Sequence, residues 1–215
     1  MSDPSLMEHQ FLTAFCLVPD YLGADRICKW PDGNVGWAVM AAIPGISEDE
    51  YIFTYDKAHK AIAAVSKIEP YQSQARDARI LADVRRIDGM NGVLAESELP
   101  CGQRQCRQWY DLGERWLLSK PGEMVVEALG EDRAIALNEH TKGVYLYLVM
   151  LHELLHAYGL SHAPQGVRAI IAPTYNWQLV ELQEYDIEQL GRRYGRRSKP
   201  VPVPPPQPSP SGGGI

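Results

Sequence analysis

The stretch LHELLHAYGLSH, Leu151 to His162, holds three of the chain's six histidines. On a helix, residues four apart stack on one face, so His152 and His156 aim at the same point. Glu153 follows the first histidine directly, beside that point rather than on it. Gly159 is suited to the left-handed conformation that ends a helix and turns the chain. Such a turn returns His162 toward the other two. Three neutral imidazoles leave one coordination position open, the pattern of a catalytic zinc site, and Glu153 is placed to take a proton from a water there. A His-Glu-x-x-His alone recurs by chance; the extended spacing with glycine and a third histidine is far more specific.

The rest of the chain is consistent with one domain around that helix. With 215 residues, 45% hydrophobic and 22% charged, it has the make-up of a globular protein with a sizeable core. A formal net charge of −6 gives no basic footprint for nucleic acid. No apolar run approaches the roughly 18 residues of a membrane span. The first 20 residues lack a basic segment followed by a long apolar one, so no signal peptide of the usual kind is expected. Action in the compartment of synthesis, or export by another route, follows from that reading. Cys16, Cys28, Cys101 and Cys106 are too few for a disulfide scaffold. Cys101 and Cys106, in CGQRQC, either close a small loop by disulfide or stay reduced.

Hydrophobic periodicity divides the chain. Val35 to Ile43 alternates and reads as a strand. Ser47 to Glu50 forms a capping box, and the helix behind it places Ile52, Tyr55, Ala58, Ile62 and Val65 on one side. Residues 82–87 and 92–99 read as strands separated by Asp-Gly and Asn-Gly turns. Residues 101–129 suggest a long loop with short strands, and residues 133–138 another strand. A nearly all-apolar helix spans 144–158, and a last helix, 183–194, carries Ile187, Leu190 and Tyr194. The expected fold is α+β: one sheet with helices packed on it. The tail from Pro200 is Pro-rich and then Gly-rich and reads as an extended linker. The expected division is an N-terminal segment at 1–20, a domain at 21–197 and a tail at 198–215.

HELLHAYGLSH, residues 152–162, matches the metzincin zinc-protease motif in full. Its surroundings resemble the matrixin branch, the matrix metalloproteinases. Lys29-Trp30 resembles the start of a matrixin catalytic domain, ADV (82–84) its third strand, and GVLAESELP (92–100) its edge strand. IIAPTY (170–175) falls where that family has its Met-turn, and LQEYDIEQLGRRYG (182–195) resembles its C-terminal helix. The resemblance covers residues 29–195. It implies a zincin-like fold with one twisted mixed sheet of about five strands, an active-site helix, a second packing helix and a C-terminal helix.

The resemblance also implies a function, a zinc-dependent endopeptidase acting on extended polypeptides as a monomer. Glu153 is the implied general base, and His152, His156 and His162 hold one catalytic zinc. Peptide is expected along the edge strand at Leu94 and Ala95. A hydrophobic residue after the cleaved bond is expected to meet Leu148, Val149, Pro173 and Tyr175. Asp186 is expected to support the Met-turn backbone, where Ile171 stands in place of the methionine. The loop before the edge strand lacks histidine, so a structural zinc is not expected; calcium is left open. CLVPD, Cys16 to Asp20, resembles the family's cysteine latch, but with Phe15 and Leu17 in place of its arginine and glycine. The alternatives are a silent peptide-binding module and a zinc amidohydrolase acting on a cell-wall crosslink. His9, His59 and His140 are expected to be solvated surface residues.

Overall fold

Strand β1, Asn34–Val39, sits near the middle of the sheet, buried on both faces. A computed structural model of the chain describes residues 28–90, 92–118, 143–176 and 178–197. Val35 and Trp37 of β1 enter the main core, while Ala38 joins Leu81 and Ala78 in a small cluster on the opposite side. Helix α1, Glu48–Val65, begins at Ser47, whose hydroxyl accepts from Glu50 N while Glu50 reaches back to Ser47 N. Both expected capping bonds are made, and three acidic residues in the first turn face the positive end of the helix dipole. α1 leads into β2, Glu69–Gln72, which lies parallel to β1. A parallel neighbour needs such a crossover, because a tight turn cannot reverse the chain twice.

The buried stripe of α1 is Tyr51, Thr54, Tyr55, Ala58, His59 and Ile62. Ile52 and Val65, expected inside, are only half-buried. His59 corrects a sequence expectation: it is fully buried, not solvated. It follows Tyr55 by four residues and precedes Ile62 by three, so it shares their face. Its ring stacks on Trp37 at 5.1 Å between centroids, and its Nδ1 lies 2.8 Å from the Tyr158 hydroxyl. His9 and His140 lie outside the described residues.

Strand β3, Ile80–Arg85, and strand β4, Ala95–Ser97, do not pair with each other. Strand β5, Cys106–Asp111, lies between them, parallel to β3 and antiparallel to β4. The sheet order is β2-β1-β3-β5-β4, a five-stranded mixed sheet with β4 at one edge. The Asp-Gly and Asn-Gly signals therefore belong to a loop that carries the chain past β5, not to a hairpin. Two carboxylates organise that loop, Asp111 buried and Asp88 exposed. Asp111 accepts from the backbone N–H groups of Ile87, Gly89 and Gly113, and Asp88 accepts from Val93 N. Burial pushes the Asp111 carboxyl up, but its backbone donors outweigh this and hold it below its ordinary value.

Strand β6, Trp116–Leu117, pairs with β7, Val144–Tyr145, in a second small sheet. The apolar helix expected from residue 144 thus starts as strand; α2 spans Leu146–Ala157 and every residue of it is buried. A helix apolar all round belongs in a core. Helix α3, Glu184–Tyr194, packs Leu190 fully inside. The strand expected at residues 133–138 lies outside the described residues. These elements make an α+β domain of sheet and three helices among the described residues.

The cysteines pair differently from the loop considered in sequence. Cys28 bonds Cys101, and Cys106 is buried outside that bond. Cys106 opens β5, and the pleat points it into the core. The Cys28–Cys101 bond joins positions 73 residues apart, a loop closure that chain entropy values at about 4 kcal/mol.

Candidate metal centre and cleft

Helix α2 ends in a complete Schellman motif. Gly159 N donates to His156 O at 2.7 Å and Leu160 N to Leu155 O at 2.9 Å. Gly159 has φ +92°, and a Cβ there would lie 1.8 Å from the Cys28 carbonyl oxygen. Glycine is thus required both by the turn and by the segment at Cys28 that crosses it. The remaining carbonyls of the helix end are capped by side chains: Trp30 Nε1 donates to Ala157 O, Tyr194 OH to Tyr158 O and Arg193 Nε to Gly159 O.

The turn brings His162 back to the helix. His156 Nε2 lies 3.1 Å from His152 Nε2 and 3.1 Å from His162 Nε2. His152 Nδ1 is 2.7 Å from Ile170 O, and His156 Nδ1 is 2.7 Å from Leu160 O. A carbonyl only accepts, so each of these Nδ1 atoms carries the hydrogen and each Nε2 presents a lone pair. Lone pairs converging at this distance repel one another unless a cation lies among them. The donor atoms of the three residues lie within 4.8 Å of one another. Burial lowers all three imidazoles below their ordinary pKa, His152 to about 4, so they are neutral donors at neutral pH. Three neutral imidazoles fit a zinc ion with an open fourth position.

Glu153 is fully buried, and among the described residues neither carboxylate oxygen has a hydrogen-bond partner. Burial, with a smaller push from the charge of Glu96, raises it well above the usual carboxylate range. An orphaned buried carboxylate beside three converging imidazoles is costly without a cation or proton nearby.

Asp186 at the third position of α3 holds the segment that carries the Ile170 carbonyl. Its carboxylate accepts from Ile170 N at 2.9 Å, Ile171 N at 3.1 Å and Gln183 N at 2.8 Å. Burial pushes its pKa up against the opposing pull of these three donors. A continuous path thus runs from Asp186 through the Ile170 peptide to the Nδ1 of His152. Ile171 is fully buried in the same turn, and its carbonyl accepts from Ala163 N.

Beside the histidines lies a partly open cleft. Leu94, Leu148, Val149, Pro173 and Tyr175 line it together with His152 and Glu153. Ala95 does not line it; its side chain is buried under β4, opposite Tyr110. Thr174, Asn176 and Leu179 also line it and were not singled out in sequence. Their nearness to Pro173 and Tyr175 along the chain was the available signal. Tyr175 has two roles, since its ring lines the cleft and its hydroxyl accepts from Tyr145 N at 3.0 Å. Cys16 lies outside the described residues. Compared with known protein families, residues 29–195 match the Matrixin family model.

Proposed function

Because the chain belongs to the matrixin family of zinc-dependent endopeptidases, we propose that His152, His156 and His162 hold the catalytic zinc and that Glu153 is the general base of peptide hydrolysis. The observation that carries this reading is the convergence of three Nε2 atoms, with the other ring nitrogens of His152 and His156 tied to backbone carbonyls. A zinc ion bound there supplies Lewis acidity, lowering the pKa of a water and stabilising the developing oxyanion. Glu153 accepts the proton of the attacking water and passes it to the leaving amine. The dry surroundings of its carboxylate raise its basicity for that task.

The substrate lies extended along β4, the edge strand, and adds to the sheet through backbone hydrogen bonds. Such bonds favour any extended peptide and carry little sequence preference. Preference comes from the apolar walls at Leu148, Val149, Pro173 and Tyr175, which favour a hydrophobic side chain just after the cleaved bond. Leu94 faces the same cleft from the strand side. Ile171 fills the place of the Met-turn methionine; as it is apolar and of similar volume, zinc binding tolerates it. Cys16 is a candidate latch for the open coordination position, since a thiolate is a good zinc ligand.

The test is cleavage of a mixed peptide library followed by mass spectrometry, on protein of measured metal content. One zinc per chain is expected, with cleavage before hydrophobic residues that is lost on chelation and in Glu153→Gln. A zinc-loaded Glu153→Gln enzyme that cuts at the wild-type rate would remove Glu153 from the mechanism. Removing residues 1–20 tests the latch: higher activity supports it, and unchanged activity rejects it.

A further inference from the structure

Two parts of the proposed site lie far apart in sequence: the turn that returns His162, and the strand that receives substrate. One covalent bond connects their supports. Cys28 lies across the turn, its carbonyl oxygen so close to Gly159 that no Cβ fits between them. The next residues continue the contact: Trp30 N donates to Tyr194 OH, and Trp30 Nε1 donates to Ala157 O at the end of α2. Cys101, at the other end of the bond, follows β4 closely and its N–H donates to Leu99 O at 2.8 Å. Leu99 is itself buried. The bond thus ties the end of the 97–101 stretch to the turn that Cys28 crosses.

Resting on the zinc-peptidase reading above, we propose that Cys28 and Cys101 are positioning residues, their disulfide holding the third-ligand turn and the substrate strand at a fixed separation. Forming the bond oxidises two thiols while a disulfide-bearing partner is reduced to two thiols. The positioned state is accordingly reached in an oxidising compartment, and thiol-reducing surroundings leave the two supports free to drift. A general stabiliser would loosen the whole domain when removed. A positioning bond loosens these two segments first.

The experiment uses the full-length, zinc-loaded chain in three forms: oxidised, reduced with a phosphine, and as the Cys28→Ser/Cys101→Ser double variant. The phosphine is oxidised to its oxide with oxygen from water, and the disulfide takes two electrons and two protons to become two thiols. Peptide mapping establishes the bond, and hydrogen exchange by mass spectrometry reads each segment. Opening the bond is expected to speed exchange in residues 157–163 and 94–99 while α1 and β3 stay protected. Zinc transfer to a chromophoric chelator should quicken by on the order of 10-fold, as when an outer support of a metal ligand is lost, and KM should rise. Reoxidation should restore both, and Cys28→Ser alone should match the double variant. Unchanged exchange at both segments with the bond open would overturn the proposal. So would uniform loss of protection that includes α1, or a native map joining Cys101 to another cysteine. A chain that binds no zinc would overturn the peptidase reading instead, and the exchange pattern would still decide the coupling.

Discussion

His59 and His156 are both fully buried, both sit on helices of one core, and each has its Nδ1 within 2.8 Å of an oxygen. Their other nitrogens differ. His59 Nε2 has no hydrogen-bond partner among the described residues, and its ring is stacked on Trp37. His156 Nε2 faces two further imidazole nitrogens at 3.1 Å. Burial makes both rings neutral, His59 falling to about 3. Only convergence turns neutrality into a ligand set. A histidine that packs among aromatic rings supports the fold; three whose Nε2 atoms meet, two of them held by carbonyls on the other nitrogen, form a group that could hold a cation.

The sharpest break between the two environments is chemical. Glu153→Gln should lower kcat by about 10²–10⁴-fold with zinc content unchanged, the range for loss of a general base. Substituting His59 should leave zinc content intact and act through stability. Measuring both variants on one peptide, with metal analysis, separates the roles. Next in size is Asp186→Ala, which strips an acceptor from three backbone N–H groups. A loss on the order of 3 kcal/mol in urea unfolding is expected, with faster zinc release because the Ile170 carbonyl loses its anchor.

The histidine in the core predicts an acid sensitivity with a definite sign. Its folded pKa of about 3 lies below the unfolded value of 6.5, so the unfolded chain binds a proton that the folded chain refuses. The contribution is constant above pH 6.5 and is lost as pH falls toward 3, by up to about 1.4 kcal/mol per unit. His59→Phe should cost about 1 kcal/mol at pH 7, through the Tyr158 hydroxyl left without its partner. It should also flatten the difference between urea midpoints at pH 7 and pH 5. An equally steep acid limb in both proteins would place the sensitivity elsewhere. The smallest effect is reserved for Ile171→Met, a volume-conserving change in the turn below the site. It should shift stability by less than about 1.5 kcal/mol and leave zinc stoichiometry as it is.

Helices were the most readable elements, because each carries its own start, face and stop. Ser47 and Glu50 mark the beginning of α1 in four residues, and the nearly all-apolar run read at 144–158 has the length and composition of a buried helix. The 3.6-residue period fixed which side chains share a face, but not how wide the buried stripe is. That width depends on what lies opposite, which is why His59 was misjudged and Ile52 overrated. Strands were less readable. The turn signals at Asp88-Gly89 and Asn91-Gly92 separate β3 from β4 along the chain without saying what pairs with each, and β5 comes from a stretch that read mostly as loop. Pairing is a non-local choice, made here by the inner faces of Cys106, Gln108 and Tyr110 and by the carboxylates that stitch the intervening loop.

The sequence alone determined the local chemistry of this protein. Two histidines four apart, a carboxylate between them and a glycine before the third histidine specify a helical face and a turn, because helix geometry links spacing to direction. Tertiary structure decided what that chemistry rests on. Cys28 chose Cys101 over Cys106, Ile170 and Leu160 supplied the carbonyls that set the imidazole tautomers, and Leu94 met Leu148 across a cleft. Apart from the Leu160 carbonyl, which the local turn presents to His156, each of these contacts joins residues far apart along the chain, so only packing could select them.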